Sequence, residues 1–62
     1  MWKKIERIMN SKKISIYGLS KLTGIPWSTI ANYKKVADMP FSNACKIADA
    51  LGVSLDELRD DF

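Results

Sequence analysis

The chain has 62 residues with a formal net charge of +3, no His and a single Cys, so it supports one domain, spanning 1–62, around one small core. Cys45 can form no internal disulfide, which points to a reducing, cytoplasmic setting, and no His is present to activate it as a nucleophile. No apolar run approaches the ~18 residues of a membrane span, and no signal-peptide apolar region opens the chain. With no His or Cys cluster, no phosphate-binding glycine loop and no converging acids, the sequence argues against an enzyme, a metal, a cofactor or a small-molecule substrate.

Apolar spacing predicts a first helix from Trp2 to Asn10 or Lys12, with Trp2, Ile5, Ile8 and Met9 inward and Lys3, Lys4 and Arg7 outward. A basic amphipathic helix can lie on a membrane surface, but this stripe is short and the remaining helices need its apolar face. Asn10-Ser11-Lys12-Lys13 reads as a polar connector, and Ser15 as the N-cap of a second helix over 16–23. In that helix Leu19 and Leu22 share a face, and Gly18 costs about 1 kcal/mol relative to Ala, for which close packing is the available reason.

Gly24 stands where a helix must stop with positive φ, and Pro26 carries a φ suited to entering the next one. Ile25 between them is apolar, so it belongs in the core, and small Ser20 lets the two axes approach. A third helix over 27–35 turns Ile30 and Tyr33 inward, leaving Trp27, Ser28, Ala31, Asn32 and Lys35 outward. The whole reads as a helix-turn-helix, although any αα-hairpin in a small bundle shares the pattern.

Residues 36–41 form a loop, and Pro40 within it marks the third helix as ended. A fourth helix over 43–51, capped by Ser42, buries Ala44, Ile47, Ala48 and Leu51 and stops at Gly52. Ser54 and Glu57 make a capping box, Val53 is placed to staple against Leu58, and Asp56 and Glu57 suit the positive first turn of a fifth helix over 55–60. The expected architecture is all-α, compact and five-helical.

Charge is divided along the chain. Residues 1–35 hold eight Lys and Arg against Glu6 alone, a net of +7; residues 36–62 hold two against six acids, a net of −4. Such a field favours a polyanion at one side and repels it at the other.

Two segments resemble the lambda-type phage repressor and Cro helix-turn-helix domains: Leu19-Ser20-Lys21-Leu22-Thr23-Gly24-Ile25 with Ser28-Thr29-Ile30, and the closing run from Lys46 to Leu58. The resemblance covers nearly all of the chain and implies a lambda-repressor-like fold that binds double-stranded DNA, with the third helix in the major groove. By matching position, Trp27, Ser28 and Asn32 read bases. Asn32 suits the N6 and N7 of adenine, Ser28 can donate or accept, and Ala31 offers contact to a thymine methyl. For Trp27 a second reading remains, an indole lying over the second helix as a hydrophobic cover.

Lys12, Lys13, Lys34 and Lys35 are candidate phosphate contacts, with surface solvation as the alternative for at least one or two of them, and Ser15 with the second-helix amides joins them. The family often has Gln where this chain has Ile16, so that residue's phosphate contact is not carried over. Its frequent Arg–Glu pair is replaced by Met9 and Lys34, which leaves no unpaired partner behind.

A single module buries only about 600–1,000 Å² on DNA, so tight binding calls for a homodimer on two half-sites. Leu55, Leu58 and Phe62 are the candidate dimer contact; alternatively Leu55 and Leu58 are core and Phe62 a frayed end. The function expected is sequence-specific regulation of transcription in phage or prophage style. The alternative is a protein-interaction module of the same fold that modulates a larger repressor or replication protein.

Overall fold

Among the described residues three are left-handed, Lys13, Gly24 and Gly52 (φ 59°, 78° and 73°), and each ends a helix. The computed structural model describes residues 1–35 and 38–59, and within them the order is α1 Trp2–Lys12, α2 Ile16–Thr23, α3 Trp27–Asn32, α4 Phe41–Leu51 and α5 Leu55–Leu58. No strand occurs among the described residues. α1 and α4 close alike: the N–H groups of Ile14 and Val53 reach back to the carbonyls of Met9 and Ala48, at 2.9 and 3.0 Å. With the cap N–H groups of Lys13 and Gly52, these bonds satisfy carbonyls of the last helical turn. For α4 and α2 a glycine makes this stop inexpensive; at Lys13 the αL conformation costs roughly 1–2 kcal/mol, and nothing in the sequence marked it.

One core joins all five helices: Ile5 and Met9 from α1, Leu19 from α2, Ile30 from α3, Ile47, Ala48 and Leu51 from α4 and Leu58 from α5, with Ile25 and Tyr33 from the connections. Each large aliphatic side chain fully buried contributes about 1.5–3 kcal/mol of transfer free energy. Val53 packs against this cluster, consistent with a staple to Leu58, and Glu57 Oε2 accepts from the Ser54 N–H at 3.0 Å to complete the capping box. Lys4 Nζ donates to the Arg59 carbonyl at 2.6 Å, tying α1 to the end of α5, so Lys4 is half-buried instead of facing outward.

Several expectations are corrected. Leu22 is 60% exposed: at about 100° per residue it lies about 60° round the helix from Leu19, on the side away from Ile16, which packs against the core. Gly18 answers to no close approach, because a Cβ there would meet Ser15 Oγ and Ile14 Cγ2 at 3.4 and 3.7 Å, ordinary contact.

The third helix ends at Asn32, not at residue 35. Tyr33, Lys34 and Lys35 bond back to Ile30, Ala31 and Asn32 in tighter turns as Tyr33 enters the core. Its hydroxyl accepts from Asn43 Nδ2 at 2.8 Å, which anchors the end of α3 to α4.

α4 starts at Phe41, with Pro40 at the N-cap and its carbonyl accepting from Ala44 N–H at 3.0 Å; Ser42 lies inside the first turn and caps nothing. α5 ends at Leu58, and Asp60 lies outside the described residues. Leu58 is fully buried and so cannot be the middle of an exposed dimer strip; Leu55 is half-buried, and Phe62 lies outside the described residues. Cys45 is half-buried and free.

Candidate nucleic-acid interface

A buried turn residue poses a problem, because its backbone groups leave water with no helix to pair them. At Ile25 two side chains of α2 solve it. Thr23 Oγ1 accepts from the Ile25 N–H at 3.2 Å while donating to the Leu19 carbonyl at 2.8 Å, and Ser20 Oγ donates to the Ile25 carbonyl at 2.5 Å. Both polar groups of Ile25 are thus paired while its side chain enters the core. Ser20 therefore does more than allow close approach, and Thr23, not singled out in the sequence, is its counterpart. A hydroxyl residue directly before the glycine stop was the available signal.

Pro26 follows as the N-cap of α3, with the Thr29 and Ile30 N–H groups donating to its carbonyl at 3.0 and 3.2 Å. From this start Ile30 points into the core, as does Tyr33 beyond the helix end. The opposite side of α3 is open: Trp27, Ser28, Thr29, Ala31, Asn32 and Lys35 line one shallow hollow of about 310 Å³. The four candidate base-reading residues are thereby brought together, with Thr29 added. Trp27 is 58% exposed and lines this hollow.

Of the candidate phosphate contacts, Lys34 and Lys35 occupy the turns directly after α3, whereas Lys12 and Lys13 end α1. All four are exposed, and none pairs with a carboxylate among the described residues. Exposed Ser15 caps α2 by accepting from the Gly18 N–H at 3.0 Å, which leaves its hydroxyl proton free to donate outward. Ile16 is half-buried against the core, Met9 is buried and Lys34 exposed, so the replaced pair strands no buried charge. The structure also brings Lys21 Nζ to 4.9 Å from the Tyr17 ring centroid, a cation–π contact on the exposed side of α2.

A family model described as Cro/C1-type HTH DNA-binding domain matches residues 4–61. The chain belongs to that Cro/C1-type helix-turn-helix family. No curated protein and no solved structure matched the chain. Membership agrees with the resemblance carried by the Leu19–Ile25 and Lys46–Leu58 segments, and it makes duplex DNA the partner class of this Cro/C1-type domain. Among the described residues, no helix is long and apolar enough to cross a membrane.

Proposed function

We propose that residues 1–62 act as one sequence-specific regulator of transcription, of the phage repressor and Cro kind. In this reading α3 enters the major groove, where Trp27, Ser28, Ala31 and Asn32 meet base edges. Lys12, Lys13, Lys34, Lys35 and Ser15 hold the phosphates. The observation that carries it is the hollow on α3, which gathers an amide, hydroxyls, an indole and an ammonium group on an uncovered helix face. Asn32 contributes the donor–acceptor pair that matches adenine N7 and N6, worth roughly 1–3 kcal/mol of discrimination. Two copies on half-sites one helical turn apart supply the contact area that one module lacks. Sedimentation over a range of concentrations, with and without a two-half-site duplex, checks that assembly; a monomer on both half-sites independently contradicts it.

The principal test is selection of sites from a random duplex pool. A motif of one or two half-sites is expected, and Asn32→Ala is expected to lose preference at one base position; an unaltered motif overturns the role given to Asn32. Lys35→Ala is expected to weaken all sites alike and to flatten the salt slope by about one.

A second reading, a module that binds a larger repressor or replication protein, draws on the exposed Tyr17, Leu22 and Phe41. Binding to that partner would persist at high salt, where phosphate contacts fade.

A further inference from the structure

Trp27 and Ala31 stand one helical turn apart on α3, as do Ser28 and Asn32. The hollow therefore has two adjacent rows, an apolar one and a polar one, with different capacities. The polar row can both donate and accept. The apolar row offers the indole face, the Ala31 methyl and a single donor, the Trp27 indole N–H, which makes no hydrogen bond among the described residues. It presents no acceptor.

A thymine edge in the major groove shows a 5-methyl group and the O4 acceptor; a cytosine edge shows the N4 amino donor and no methyl. Against the Trp27–Ala31 row, thymine buries its methyl on apolar surface and can take the indole N–H at O4. Cytosine would leave its amino group desolvated and unpaired there.

We infer that Trp27 and Ala31 together form a reader for a pyrimidine 5-methyl group, so that the site carries an obligatory thymine beside the adenine read by Asn32. This rests on the groove-reading role proposed above and extends it by making the Trp27 indole, with Ala31, the determinant of one base position. Trp27 is the main determinant, because its ring supplies most of the row's exposed apolar surface while Ala31 is half-buried.

The experiment uses the full chain and the duplex it selects from a random pool. Thymines are replaced one at a time by deoxyuridine, which removes the 5-methyl group and leaves every hydrogen-bonding atom in place. Binding is expected to weaken about fourfold at one thymine in each half-site, the equivalent of one buried methyl. Trp27→Ala, whose exposed position spares the core, is expected to lose most of the difference between the thymine and deoxyuridine duplexes at that position, with its helical circular dichroism unchanged. Ala31→Gly should reduce the methyl effect without removing it. If every thymine can be replaced without change, or the effect persists in full in Trp27→Ala, the inference fails while the selected motif and the groove-reading role stand. If no motif is selected at all, the groove-reading role fails and this inference falls with it.

Discussion

The α2–turn–α3 unit and the α4–α5 unit are built from the same kind of short helix, yet they hold themselves in opposite ways. α4 alone buries Ala44, Ile47, Ala48 and Leu51, and α5 begins with its own capping box. α2 and α3 bury one residue each, Leu19 and Ile30, and between them expose Tyr17, Leu22 and Trp27. Their mutual position depends on hydrogen bonds around Ile25 and on the Asn43–Tyr33 bond to α4. A surface that must meet a partner cannot also be the surface that holds the fold together. Here the stabilising burial is concentrated in α1 and α4, and the helix that displays its side chains is supported from behind. Charge divides elsewhere: residues 1–35, α1 included, are basic, and the chain turns acidic only after residue 35.

The contrast can be broken most sharply in the supporting half. Ile47→Ala removes a side chain with no exposure and is expected to cost about 2–5 kcal/mol, enough to unfold much of a 62-residue domain and abolish DNA binding with it. Urea titration followed by circular dichroism measures this. Leu22→Ala, on the exposed face of α2, should change the same midpoint within about 0.5 kcal/mol.

In the displaying half the largest effect is expected at the turn. Thr23→Val keeps the shape but leaves the buried Ile25 N–H unpaired, costing about 1–3 kcal/mol. Amide exchange should locate the loss at Gly24 and Ile25, and a loss spread evenly over α4 would contradict the assignment.

Gly18→Ala is expected to give a small change of the opposite sign. Its new Cβ meets only ordinary contacts, so thermal unfolding should show α2 stabilised by about 0.5–1 kcal/mol. A destabilised variant would mean that this glycine is needed after all.

Features legible before the structure depend on neighbours within a turn or two: the stops at Gly24 and Gly52, the Ser15 cap, the Ser54–Glu57 box, and the inward Ile30, Ile47 and Leu51. The candidate site was legible to the same extent, because outward Trp27, Ser28, Ala31 and Asn32 follow from inward Ile30 and Tyr33 by helical geometry alone.

Other features needed the fold. Leu19 and Leu22 look alike in the sequence, but packing buries one and exposes the other. Leu58 could serve a core or an interface until α1 and α4 are placed around it, and α3 could run to residue 35 until Tyr33 finds Asn43 ten residues on. Local backbone chemistry acts over the few residues that share a helical turn and is written in their order. Which apolar face is covered, and which is left open, depends on residues distant in the chain and is settled only when the helices come together.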